Sequence, residues 1–246
     1  MHIIPVIDVR HGIAVRAVAG DRANYQPLVT PLVTAESAAE WGQTHGPDPQ
    51  LTGRTGLTPL AVARGYRSLY PFSTIYVADL DGIEARGANA GLSSTLLMAL
   101  PGVEVWIDAG LKPGDAPASG VDVLGSEVLS DLDIQTPLPQ RAVLSLDFRG
   151  DDFIGPKALL QQPHLWPERV IVMTLARVGS DGGPDLARIA QIAKLAPQAH
   201  VYAAGGIRGI ADLNAARDAG AHGALIASAL HAQEIKAGDL KEITGL

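Results

Sequence analysis

The sequence predicts a single (β/α)8 barrel, and three observations lead to this prediction. Eight short apolar runs recur along the chain, segments of helical periodicity alternate with them, and 246 residues suit one such barrel. Several runs are apolar nearly throughout, which is typical of parallel strands covered on both faces. The alternative fold is a doubly wound open sheet. We expect one domain spanning residues 1–246.

The predicted strands are rich in β-branched and other apolar residues. They lie at residues 3–9, 74–80, 103–109, 121–125, 141–147, 169–175, 200–206 and 223–228. Helical periodicity is clearest over residues 58–71, 183–197 and 209–220. Pro184 with Asp185 suits a helix start, and Gly220 suits a helix end. The stretch from Gly110 to Gly125 leaves little room for a helix.

A long loop insertion follows the first strand at residues 43–57, which read GQTHGPDPQLTGRTG. Its Gly, Pro and Thr residues favour irregular structure. We expect either a mobile lid over the carboxyl ends of the strands or a tolerated surface insertion.

The composition argues against several classes of function. Nineteen Lys and Arg against 26 Asp and Glu give a net charge of −7, which disfavours sequence-independent nucleic-acid binding. The chain has no cysteine, so disulfides, thiolate metal sites and cysteine nucleophiles are excluded. The seven histidines show no metal-binding spacing. With no basic leader and no apolar run long enough for a membrane, we expect a cytoplasmic protein.

Three pairs of segments indicate an internal repeat. The pairs are IIPVIDVRHG (3–12) with AVLSLDFRGD (142–151), IDAGLKPG (107–114) with AAGGIRGI (203–210), and VLGSEVL (123–129) with LIASALH (225–231). Because the matches occur in the same order, they predict two half-barrels of similar design.

Asp8 and Asp147 would then end the first and fifth strands, on opposite sides of the barrel mouth. Two carboxyl groups so placed suit one general base and one general acid. The alternative is that each caps a turn, because Asp is a common turn residue. Thr174 would end the sixth strand, where its hydroxyl either contacts a ligand or orients Asp147, or is only a β-branched strand residue.

The ends of the seventh and eighth strands resemble a phosphate site. The residues that we expect to bind phosphate are Gly205, Gly206, Arg208, Ala227 and Ser228. Barrels often bind phosphate in these two loops, because backbone N–H groups and a helix dipole favour an anion there. The alternative is a plain turn followed by a helix that Ser228 caps.

The first half offers a possible second site at the equivalent positions Gly110, Lys112, Gly125 and Ser126. Asp108 and Glu127 oppose it, because a carboxylate about 4 Å from a phosphate is repelled by about 4 kcal/mol at an effective dielectric near 20. Inward carboxylates suit a cationic, hydroxyl or amide group better. The alternative is that both point to solvent or pair with Lys112.

Five stretches resemble the HisA and HisF barrels of histidine biosynthesis. They read IIPVIDVRHGIAVRAVAGDR, VADLDG, LSLDFRG, AAGGIR and ALIASAL, in the same order as in the family. The resemblance implies a two-fold repeated (β/α)8 barrel and an Amadori rearrangement of an aminoaldose phosphate (ProFAR), without metal or cofactor. It implies that Asp8 is the general base, that Asp147 is the general acid, and that Thr174 assists at the ring end.

Departures from the HisA pattern change the expected substrate. This chain has DAGLK where the family carries GGGIR, and GSEV where it carries a small G-T/S-A element. Val178 stands where an acidic residue is expected, and Asp181 is displaced from that position. The chain thus also resembles HisA-like paralogues of one-carbon (methanopterin) pathways. We expect an isomerase of ProFAR or of a related mono-phosphorylated sugar. The alternative is a catalytically altered paralogue that binds a phosphate-bearing ligand.

Overall fold

The computed structural model describes residues 1–34, 56–180 and 182–245. The insertion predicted at 43–57 lies outside the described residues except for Gly56 and Leu57, and so does Asp181. None of the described helices is long and apolar enough to cross a bilayer.

Eight parallel strands form a closed barrel, which confirms the predicted fold. They are β1 (His2–Arg10), β4 (Thr74–Asp79), β5 (Glu104–Asp108), β6 (Val121–Gly125), β7 (Val143–Arg149), β9 (Arg169–Thr174), β10 (His200–Ala204) and β11 (Gly223–Ile226). Neighbours pair in that order, and β11 pairs with β1 to close the ring. Each strand overlaps one of the predicted runs, and the open sheet is excluded.

Antiparallel hairpins extend the first strand of each half. They involve β2 (Ile13–Arg16), β3 (Gln26–Pro27) and β8 (Asp152–Ile154). Asp8 lies opposite Val15 on β2, and Asp147 lies opposite Ile154 on β8. The sequence offset is the same in both halves, so the repeat extends to the register of these hairpins.

Helices cover the outside of the barrel. They are α1 (Pro59–Leu69), α2 (Leu80–Ile83), α3 (Leu92–Ala99), α4 (Lys157–Gln161), α5 (Leu186–Leu195), α6 (Ile210–Asp218), α7 (Ser228–His231) and α8 (Ala237–Thr244). The three predicted helices correspond to α1, α5 and α6. The Asp185 side chain caps α5 by accepting a hydrogen bond from the Arg188 N–H. No helix lies between β5 and β6, where every connecting residue is described.

Two apolar layers hold the fold together. One lies between the strands and the helices, and the other fills the barrel interior. In the interior, the Trp106 and Tyr202 rings meet edge to face with centroids 5.0 Å apart. Because packed side chains fill this part of the barrel, we expect a ligand site at the carboxyl ends of the strands.

Candidate active site

A cavity opens over the carboxyl ends of the strands. Four acidic side chains line it, and each comes from the end of a different barrel strand or from the loop directly after it. These side chains are Asp8, Asp108, Glu127 and Asp147. Since strands β1 and β7 are separated by three strands on either side of the ring, Asp8 and Asp147 lie on opposite sides of the mouth.

The Asp8 carboxylate lines the cavity near the end of β1. It is half-buried, and no described residue donates a hydrogen bond to its side chain. Burial raises the pKa of Asp8 from 3.8 to about 7; Arg22 opposes this shift and Asp108 adds to it. A carboxylate with free lone pairs and a pKa near neutrality is suited to accept a proton.

The Asp147 carboxylate is buried and hydrogen-bonded. Ser145 Oγ donates to Oδ1 at 2.8 Å, and Ser126 Oγ donates to Oδ2 at 3.0 Å. Burial, with the nearby charges of Glu127 and Asp108, raises the pKa of Asp147 to about 7, although the two serine hydrogen bonds oppose the shift. The protonated form is therefore well populated near neutral pH.

Asp108 lies between the other acidic groups. Its Oδ2 accepts a hydrogen bond from the Tyr76 hydroxyl at 2.8 Å. Burial raises the pKa of Asp108 to about 6, although the Tyr76 hydrogen bond opposes the shift. A Cβ added to Gly125 would lie 3.5 Å from Asp147 Oδ2 and 3.9 Å from Asp108 Oδ2. Both carboxylates therefore lie within van der Waals distance of the same point beside Gly125.

Arg22 brings a cation into the acidic half of the cavity. Its guanidinium forms a bidentate ion pair with the Glu127 carboxylate, and both side chains are about four-fifths buried. Arg22 lies in a short 3₁₀ turn between β2 and β3. Arg10 holds this turn by donating to the Arg22 carbonyl oxygen, and its other nitrogen pairs with Glu84 at 2.9 Å. Two contacts therefore hold the turn at the barrel mouth: the ion pair of Arg22 with Glu127, and the hydrogen bond from Arg10 to the Arg22 carbonyl oxygen.

The predicted phosphate residues Gly205, Gly206, Ala227 and Ser228 all line the cavity. Gly205 and Gly206 have φ values of +97° and +81°. A Cβ at Gly205 would lie 2.8 Å from a carbonyl oxygen, and one at Gly206 would collide with another. The backbone therefore requires glycine at both positions whether or not an anion binds there.

Other predicted residues lie beside the cavity and not on its wall. Thr174 is buried at the end of β9, and Arg208 is paired with Asp212 through Nε and Oδ2 at 2.8 Å. Gly110 and Lys112 belong to the loop after β5, where the Lys112 N–H donates to Asp115 at 2.8 Å. Ser126 reaches the site through its hydrogen bond to Asp147.

Our reading of the sequence missed Arg22, Tyr25 and Tyr76, all of which line the cavity. Alternation along β4 was a usable signal for Tyr76, because alternate strand residues face the barrel interior. No local pattern marks Arg22, which reaches Glu127 over 105 residues of sequence. Across the described ranges, no three His, Asp or Glu side chains are grouped as a metal site requires.

Comparison with known proteins agrees with this architecture. The family described as Histidine biosynthesis protein matches residues 159–236. A ProFAR isomerase of Xanthomonas oryzae pv. oryzae is 25% identical, over 93% of this chain and 93% of its own length. The chain is thus similar to HisA-type proteins over most of its length. A second ProFAR isomerase, from Pyrobaculum aerophilum, is 26% identical over 95% of this chain and 97% of its own length.

A relative without an assigned activity is similar to the same extent. An uncharacterized protein of Methanocaldococcus jannaschii is 26% identical, over 99% of this chain and 97% of its own length. The comparisons therefore give homology to HisA-family isomerases at low identity.

Proposed function

We propose that this protein is an aldose–ketose isomerase of the Amadori type, acting on a mono-phosphorylated sugar or aminosugar. The observation that carries the proposal is the pair Asp8 and Asp147, which face each other across one cavity with pKa values of about 7. Enzymes that move protons at neutral pH need groups that are poised near that pH. The homology to ProFAR isomerases agrees with this chemistry.

The surroundings assign the two aspartates different roles. The Arg22 charge favours the ionised form of Asp8, which suits the base. The Glu127 and Asp108 charges favour the protonated form of Asp147, which suits the acid. This assignment agrees with the roles that the family resemblance implies.

The proposed reaction is an isomerisation without net gain or loss of atoms. Asp147 protonates the ring oxygen, the bond from C1 to that oxygen breaks, and C1 forms a double bond to the amine nitrogen. Asp8 then removes the proton from C2, which gives an enolamine. Return of a proton to C1 and loss of the proton from the C2 hydroxyl give the aminoketose.

The two halves of the cavity differ in the ligand groups that they suit. The printed name of the Xanthomonas relative contains two phosphoribosyl groups. In this chain, Asp108 and Glu127 line the first half of the cavity, and a carboxylate close to a phosphate costs about 4 kcal/mol at an effective dielectric near 20. We therefore place a single phosphate at Gly205, Gly206, Ala227 and Ser228, in the second half.

Enzyme assays and complementation test the proposal. The purified protein is assayed with ProFAR and with mono-phosphorylated aldosylamines, and the gene is placed in a strain that lacks the isomerase. Asp8→Asn and Asp147→Asn should each lose at least about a hundredfold in kcat, since general acid or base catalysis contributes about 10²–10⁴-fold. Asp131→Asn, at an exposed carboxylate, is the matched control. Turnover that survives in both active-site variants refutes the assignment.

A second candidate function rests on Val178. This apolar side chain lines the cavity where the family resemblance places an acidic residue. A protein that binds a phosphorylated ligand without converting it would tolerate this change. Phosphate binding without turnover of any phosphorylated aminosugar would support this second function.

A further inference from the structure

The two half-barrels share a left-handed glycine after equivalent strands, but the groups around it differ. In the repeat, Gly110 corresponds to Gly206, and Glu127 corresponds to Ala229. Gly110 and Gly206 share left-handed φ values of +69° and +81°. Two-fold symmetry alone would therefore provide two anion sites, one in each half.

In the first half, the chain's own carboxylates occupy the backbone donors. The Gly110 N–H points to Asp108 Oδ1 at 3.5 Å, and the Glu127 N–H donates to Asp147 Oδ2 at 3.3 Å. Carboxylate oxygens thus already accept the hydrogen bonds of the backbone N–H groups that a phosphate would need.

The Glu127 side chain adds an anion at the same place. It stands where the second half has the small Ala229, and it lines the cavity. Arg22 holds its carboxylate with two nitrogens, which is the geometry that also binds a phosphate. The loop between β2 and β3 therefore supplies a cation, Arg22, to the first half of the cavity. The anion that Arg22 binds there is the chain's own Glu127 carboxylate.

We infer that Glu127 is the residue that restricts this site to ligands with one phosphate, because its negative charge repels a second phosphate and neutralises the Arg22 guanidinium that would bind it. The inference rests on the proposed function, because the single phosphate belongs at Gly205 and Ser228. The ligand end that faces Glu127 and Asp108 carries hydroxyl or amine donors, since those are the groups that carboxylate oxygens accept.

Counting bound phosphates tests this inference without requiring turnover. Radiolabelled inorganic phosphate is the probe, measured by equilibrium dialysis at pH 6. Wild type should bind one phosphate per chain. Glu127→Ala and the nearly isosteric Glu127→Gln should bind two, the second with a Kd within about tenfold of the first, which is about 1.4 kcal/mol. Glu127→Ala combined with Arg22→Ala should return to one.

The possible outcomes are distinct. Two phosphates on wild type, or one on both Glu127 variants, overturn the role of Glu127. Two phosphates on the double variant overturn the role of Arg22. No phosphate on wild type overturns the proposed phosphate site in the second half, and with it the proposed function. Circular dichroism and thermal melting identify a variant that fails to fold. If Glu127→Ala fails to fold, the phosphate count on Glu127→Gln still tests the inference.

Discussion

Replacing Asp8 by asparagine should stabilise the protein most at alkaline pH while removing its activity. The pKa of Asp8 is about 7 in the folded protein and near 3.8 when the carboxyl is exposed. A group whose pKa is raised by folding supports the folded state at low pH, and this support is lost as the pH rises through 7. Asparagine has the shape of the protonated carboxyl and carries no charge at any pH.

The magnitude follows from the shift. One pKa unit corresponds to about 1.36 kcal/mol, and two units lie between pH 5 and the folded pKa near 7. The free energy of unfolding of Asp8→Asn, relative to that of wild type, should therefore be about 3 kcal/mol higher at pH 9 than at pH 5. In a chain of this size, that is a melting-temperature difference of about 6–12 °C.

Urea unfolding followed by circular dichroism at pH 5 and pH 9 measures this difference. Wild type, Asp8→Asn and the exposed control Asp131→Asn are compared. The control should show the same small effect at both pH values. If Asp8→Asn differs from wild type equally at pH 5 and pH 9, then Asp8 is not desolvated and is not poised as a base.

Three further predictions concern other parts of the site and fold. Gly206→Ala should destabilise the protein by about 1–3 kcal/mol in thermal melts, because φ is +81° and a carbonyl oxygen blocks the Cβ, whereas Gly209→Ala, with open space around it, should not. Burial lowers the pKa of His231 to about 4, so the difference in unfolding free energy between wild type and His231→Asn should shift by up to about 3 kcal/mol against wild type as the pH falls from 6.5 to 4. Ser145→Ala removes a hydrogen bond that lowers the pKa of Asp147, so the alkaline limb of the kcat/KM profile should move to higher pH; an unmoved limb would contradict the role of Asp147 as acid.

Much of the barrel could be predicted because the signals are local. Eight apolar runs marked the eight strands, and the repeat aligned Asp8 with Asp147 before their hairpins showed the same register. The first-half site was harder to predict. The partner of Glu127 is Arg22 and not Lys112, and a guanidinium that reaches across the mouth leaves no periodic signal in the chain.

The closed parallel barrel, the half-barrel repeat and the strand ends at which chemistry could occur are all predictable from the amino-acid sequence. Strand patterns and turn residues act over a few positions, so they are visible along the chain. The raised pKa values of Asp8, Asp108 and Asp147 and the pairing of Arg22 with Glu127 became visible in the folded structure. Those properties depend on burial and on charges brought together from distant segments, and both exist only once the barrel has closed.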